Sequence, residues 1–219
     1  MVMDIDGSGA LEITFFFDFL CPFTYQASLW IREVRDVIGP EAIKVDWQFF
    51  SLEENNYSKT REGWHIWEQK ADDPELKGLR PFLVGAAVEQ AAGEDGLDKF
   101  YQIMGRMRHE ENLDISERSH LEAALTEAGF EPKAYTQALE GKDQQGFEKI
   151  KRDHTQAVEE YGIFGVPALV FENQPGKTIF LKMMPRPTGT QAFELFQYVQ
   201  RIALGLPMVQ EIKRVTPAT

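Results

Sequence analysis

Cysteine is nearly missing from this chain: 219 residues carry one thiol, Cys21. One cysteine cannot close an intrachain disulfide, so no covalent bridge supports the fold. Structural zinc sites built from several cysteines are excluded for the same reason. Positive charge is also in short supply. Lys and Arg number 23 against 35 Asp and Glu, a formal net charge of −12. Phosphate neutralisation needs clustered cations, so this balance argues against a nucleic-acid partner and against anionic membrane surfaces. Its plain consequence is solubility. Long apolar runs are missing too. The stretch after residue 10 is interrupted by Asp18 and is far too short to span a bilayer. The first ten residues, MVMDIDGSGA, hold two Asp and no Lys or Arg, so no secretory leader is expected and the chain reads as cytoplasmic. Internal repeats and low-complexity linkers are absent.

What is present suits one large domain, or one domain carrying an inserted subdomain. Residues 11–18, LEITFFFD, are β-branched and aromatic and predict a buried strand. The period then changes. Phe23, Ala27, Trp30, Ile31, Val34, Val37 and Ile38 fall at helical spacing, Pro22 suits a first helical position, and Gly39-Pro40 closes the helix. IKVDWQFF, 43–50, reads as a second strand, which completes a βαβ unit with its first turn at Cys21-Pro22. A helical stretch over 60–161 follows. Ser116 is the expected cap and Gly129 the expected end of one helix, and Phe147, Ile150, Val158 and Tyr161 the apolar residues of the last. Strands return at 166–171 and 178–183 around a Pro175-Gly176 turn, and a helix over 190–205 closes the pattern. The order βαβ, helices, ββα fits a four-stranded sheet split by a helical insertion. The expected division is 11–59 with 162–205 for the sheet domain, 60–161 for the insertion and 206–219 for a tail.

Cys21 occupies the turn after the first strand, at the carboxyl edge where sites are commonly built. It also precedes a helix N-terminus, whose unpaired N–H groups favour a thiolate. A lone cysteine can equally be a small buried hydrophobe. In GIFGVPALVF, Val166-Pro167 heads an apolar strand. Proline cannot donate to a ladder, so it belongs at a strand start, and the bond before it is a candidate cis peptide.

The paired Cys-Pro turn and Val-Pro strand start resemble the thioredoxin superfamily. More closely, FDFLCPFTY, the helical insertion and GVPALVF resemble the DsbA family of thioredoxin-fold oxidoreductases, over about residues 11–204. The broader class includes kappa-type glutathione transferases and 2-hydroxychromene-2-carboxylate isomerases. FFSLEENN, AAVEQAAG, YQIMGRMRH and GVPA are similar to the mycothiol-linked, nitroreductase-like branch. The resemblance implies an α/β, DsbA-like thioredoxin fold with an all-helical insertion. It implies Cys21 as nucleophile, with Pro22, Phe23, Val166 and Pro167 contacting substrate in a cleft between sheet edge and helical cap.

One departure bears on the chemistry. The redox members carry Cys-x-x-Cys, and here the motif is Cys21-Pro22-Phe23-Thr24. With Thr24 in the resolving position an intramolecular dithiol cycle is impossible, and a monothiol route through a mixed disulfide remains. The Thr24 hydroxyl is expected to bond the Cys21 sulfur, or else backbone at the helix start. His109 falls where the branch has a histidine near its small-thiol site, and a surface-loop histidine is the plainer reading. Arg186 could hold a thiol's carboxylate or stand in a solvent-exposed turn. His154 lies on a helix face and reads as a satisfied core histidine. Trp64 and Trp67 pack the cap or line a pocket for a flat aromatic molecule. His65 and His120 suggest no metal site. The expected activity is a thiol-dependent oxidoreductase with no tightly bound cofactor and a glutathione- or mycothiol-type thiol as co-substrate. The alternatives are a transferase or isomerase that activates a bound thiol, and a non-enzymatic binding module. The helical cap offers a surface for a homodimer.

Overall fold

The computed structural model of the chain describes residues 10–213. The sequence reading of the first nine residues and of 214–219 lies outside the described residues. The elements run β1 (Leu11–Phe17), α1 (Pro22–Ile38), β2 (Ile43–Phe49), α2 (Leu52–Tyr57), α3 (Leu79–His109), α4 (Arg118–Ala128), α5 (Thr136–Leu139), α6 (Gln144–Glu159), β3 (Ala168–Phe171), β4 (Thr178–Phe180) and α7 (Thr190–Gly205). No described helix is long and apolar enough to cross a membrane.

The strands form one sheet in the order β2-β1-β3-β4. β2 runs parallel to β1, Leu11 opposite Ile43 and Phe17 opposite Phe49. β3 is antiparallel to β1, with Phe16 opposite Ala168, and β4 is antiparallel to β3. β1 is covered on both faces, which is why its sequence is a continuous apolar run rather than an alternation. Ile13, Phe15 and Phe17 enter the larger core with Trp30, Val34, Phe82, Tyr101 and Phe196. Phe16 points the other way, into a smaller cluster with Cys21, Phe50, Ala157, Ile163, Val166 and Val170. The Trp30 indole N–H donates to Ala192 O at 2.9 Å and docks α1 on α7.

The exposed edge of β2 is sealed by side chains from the helices. Trp47 N donates to Glu94 Oε2 at 3.0 Å and Phe49 N to Asp153 Oδ2 at 3.3 Å. Ser51 N, just past the strand, donates to His154 Nδ1 at 3.1 Å. Such caps deny an unpaired ladder to other chains. Burial holds Glu94 up to about 7 against the Trp47 bond, which favours its charged form. It pulls His154 down to about 4, so the ring is neutral, as its acceptor role at Nδ1 requires.

Several local expectations are corrected. Regular helix after β2 begins with the short α2, and the next long helix starts only at residue 79. The AAVEQAAG and YQIMGRM segments belong to one element, α3, kinked at Gly93, where φ of +67° breaks the helical path. Glu117, not Ser116, is the cap residue of α4, and the Ser116 hydroxyl donates to Asp114 instead. On α6 the buried positions are Gly146, Lys149, Ile150, Asp153, His154 and Ala157, while Val158 is exposed. The two C-terminal strands are shorter than read, 168–171 and 178–180.

Candidate active site

β1 delivers the chain to a turn held by its own backbone and by Asp18. Cys21 N donates to Asp18 O at 3.2 Å. The Asp18 carboxylate, fully buried, accepts from Leu20 N and from Leu52 N, each at 2.7 Å, and so ties the Cys21 turn to the first residue of α2. Burial raises Asp18 to about 7; the two N–H donors oppose this and the nearby Glu53 adds to it. Cys21 is the N-cap residue of α1 in extended conformation, with Pro22 at the first helical position.

Cys21 is only 5% exposed. Its Sγ donates to Val166 O at 3.5 Å, which joins the α1 turn to the loop before β3. The Val166–Pro167 peptide is cis. Pro167 O accepts from Leu181 N at 3.2 Å, and Phe164 O accepts from Asn55 Nδ2 at 3.4 Å. The loop facing the sulfur is therefore anchored on both sides.

The expected hydrogen bond from Thr24 to the sulfur is not formed. The Thr24 side chain is fully buried and its Oγ1 has no partner among the described residues, backbone or sulfur. Phe23 packs half-buried against the Cys21 cluster. His109 is the last residue of α3 rather than a loop residue. Its Nε2–H donates to Phe19 O at 3.1 Å, and its ring stacks on Tyr25 at 5.4 Å. Burial lowers His109, partly offset by the Phe19 bond. The Tyr25 hydroxyl donates to Glu110 Oε1 at 2.7 Å; burial, then that carboxylate, raises the phenol, and the fields of Arg186 and Arg106 oppose them. Arg186 is near enough for its charge to act on Tyr25, and its buried Nε has no partner among the described residues.

The structure brings Cys21, Pro22, Phe23, Val166 and Pro167 together, with His109 and Arg186 gathered around Tyr25 on the flank. Trp64 packs edge-on to Tyr57, and Trp67 stacks on His65, whose Nδ1 pairs with the buried Glu54. Two hollows, of about 370 and 500 Å³, are lined by residues of α3–α6 and the segments between them, and neither includes Cys21. Among the described residues no group of three His, Cys, Asp or Glu is placed to hold a metal ion. The sequence reading missed Tyr25 and Asp18 as site-building residues. An acid inside the apolar run FFFDFL was the available signal for Asp18, since a buried carboxylate needs specific donors.

This arrangement, a Cys-Pro helix start facing a Val-Pro loop on a four-stranded sheet, accompanies a sequence match to the DSBA-like thioredoxin domain over residues 12–199. The chain belongs to that family. A relative in Mycobacterium tuberculosis, the uncharacterized protein Rv2286c, is 31% identical over 203 residues, 92% of this chain and 81% of its own. Solved structures share the DsbA-like fold at low identity. A 2-hydroxychromene-2-carboxylate isomerase matches with TM-score 0.61 and 14% identity, over 91% of this chain and 100% of its own. A "probable DsbA oxidoreductase" of Streptomyces coelicolor matches with TM-score 0.60 and 14% identity, over 95% of each chain. MdbA, a thiol-disulfide oxidoreductase of Actinomyces oris, matches with TM-score 0.58 and 14% identity, over 85% of this chain and 80% of its own. The fold thus carries both oxidoreductases and an isomerase.

Proposed function

We propose that the protein is a monothiol oxidoreductase in which Cys21 exchanges with disulfides of small thiols. The observation that carries this reading is the place of Cys21 at the N-cap of α1, facing the Val166–Pro167 loop, in a chain that has no second cysteine. The Cys21 thiolate attacks one sulfur of a disulfide RS–SR′. A Cys21–S–S–R bond forms, the RS–SR′ bond breaks, and R′S⁻ leaves and takes up a proton. A second small thiol, of glutathione or mycothiol type, then attacks the mixed disulfide, releases RS–SR″ and restores the thiol. Arg186, whose charge acts on Tyr25, supplies a cation for the carboxylate of that thiol. A reducing, cytoplasmic setting suits a site with one thiol and no bridge elsewhere.

Glutathione disulfide and a mycothiol-type disulfide are suitable first probes. Intact-mass analysis should show one adduct on the protein and none on Cys21→Ser, and the exchange rate should fall to background in the variant. No adduct on the unaltered chain would sink the proposal. A second reading is favoured by the 5% exposure of Cys21: the protein activates a bound thiol for transfer or isomerisation and its own sulfur does not turn over. Under that reading Cys21→Ser keeps activity.

A further inference from the structure

The Cys21 sulfur has no room for an adduct. The residue is 5% exposed and belongs to a packed cluster with Phe16, Phe50, Ala157, Ile163 and Val166. A mixed disulfide adds at least a sulfur and a carbon, so part of that cluster must give way before the bond can form. Most of it is fixed. Phe16 lies in β1, which is paired on both sides. Phe50 follows β2 and its N–H donates to Phe17 O at 2.9 Å. Ala157 is inside α6, and the turn that carries the sulfur is tied through Asp18 to α2.

Residues 162–166 are held differently. Gly162 has φ of +65°, and a Cβ there would meet no atom within 4 Å. A Cβ on Gly165 would meet only Phe180, at 3.5 Å. The pair Ile163-Phe164 therefore has a glycine on either side, the residue that turns most freely. Phe164 is 66% exposed. The two ends are anchored: Ile163 N donates to Ala157 O at 2.9 Å, and Leu181 N donates to Pro167 O at 3.2 Å. Between them, Phe164 O accepts from Asn55 Nδ2 at 3.4 Å and Val166 O accepts from Cys21 Sγ at 3.5 Å.

The last of these contacts exists in only one chemical state of the sulfur. A thiol has a hydrogen to donate to the carbonyl. A thiolate has none and faces the negative end of the carbonyl dipole. A disulfide sulfur has none either, and its substituent needs the space that the segment fills. The chemical state of Cys21 and the position of residues 162–166 are thereby linked.

We propose that residues 162–166 form a thiol-latched flap: the Cys21 S–H holds it over the sulfur, and conversion of the thiol to a mixed disulfide releases it. The closed flap shields the resting thiol, and the open one gives the second thiol a path to the mixed disulfide. The inference concerns regulation of the proposed active site and rests on that reading for the thiol that enters. The latch itself does not depend on which thiol that is.

The test is hydrogen exchange of the full chain read by mass spectrometry, comparing a peptide that covers 162–166 with one from α4. Methyl methanethiosulfonate is the probe. The Cys21 thiolate attacks its divalent sulfur, a Cys21–S–S–CH₃ bond forms, the S–S bond of the reagent breaks and methanesulfinate leaves. The labelled chain should exchange about tenfold faster at 162–166, with α4 unchanged, and dithiothreitol should reverse the effect. Cys21→Ala, which loses the donor without adding bulk, should exchange about threefold faster there. Cys21→Ser keeps a donor and should stay near the rate of the unaltered chain. Equal exchange in the Ser and Ala variants would overturn the proposal, because the sulfur would then only fill space. Unchanged exchange in the labelled chain would overturn it too. If the reagent leaves the folded chain unlabelled, the two variants decide. Failure of glutathione disulfide to form an adduct counts against the monothiol reading alone and leaves the comparison of variants intact.

Discussion

Asp18 is the residue on which the Cys21 turn depends. Its carboxylate accepts from two backbone N–H groups, one in the Cys21 turn and one at the start of α2, and meets no cation among the described residues. Displacement from 3.8 to about 7 corresponds to on the order of 4 kcal/mol. The folded state keeps this proton where the unfolded chain has released it. The contribution to stability is therefore complete below about pH 4 and is lost as pH rises through about 7. Asp18→Asn removes the dependence, so its cost in thermal unfolding should be largest at pH 5 and smaller at pH 8. An equal cost at the two pH values would mean that Asp18 titrates normally. His154 slopes the other way: lowered to about 4, it contributes stability above pH 6.5 that is lost as pH falls. At this scale the motif residues were legible from the sequence, because a Cys-Pro pair after an apolar run has few structural meanings. The direction of the Cys21 sulfur was not, since it depends on a carbonyl 145 residues away.

Among the elements, α3 does most to position the site, and a glycine lets it do so. Gly105 faces the Tyr25 ring of α1, and a Cβ there would overlap that ring. Tyr25 is the residue that stacks on His109, one turn further along α3. Gly105→Ala should therefore destabilise the fold by about 1–3 kcal/mol in urea unfolding, even though alanine is the better helix former. A neutral or stabilising outcome would mean that α1 and α3 can slide apart without loss. The boundaries of β1, α1, β2 and α7 followed from period changes and from Gly39-Pro40, because each element has one dominant apolar face. The face of α6 did not follow. Its positions 146, 149, 150, 153, 154 and 157 keep helical spacing, but 149 and 153 are ions. Lys149 Nζ sits 2.8 Å from both Asp153 Oδ2 and Glu89 Oε2. Burial lowers Lys149, but the two carboxylates outweigh it and leave it raised. An apolar pattern cannot reveal a face built from paired charges. The kink at Gly93 was hidden for a related reason: it carries Glu94 to the edge of β2, a partner that lies outside any local window.

For the molecule as a whole, a continuous core joins the sheet to the helices between β2 and β3. Phe15, Phe17 and Phe49 of the strands share it with Phe82, Phe100 and Leu121 of α3 and α4. Arg32 of α1 pairs with Asp98 of α3 across the same junction. Unfolding should accordingly be a single cooperative transition, with far-UV circular dichroism and tryptophan fluorescence losing signal together. Separate midpoints would show that the helical segments melt on their own. The alternation of strands and helices made this architecture legible in the sequence, whereas the meeting of the Phe164 and Phe180 rings required the antiparallel pairing that folds β4 back toward the Cys21 loop. One consequence concerns descent rather than stability. Thr24 fills the resolving position of the motif fully buried, with no hydrogen bond among the described residues to lose. A cysteine of nearly the same size would meet the same walls. The one-thiol and two-thiol versions of this protein are therefore neighbours in sequence space, a single replacement apart, and a lineage could cross between them in either direction without rebuilding the surrounding core.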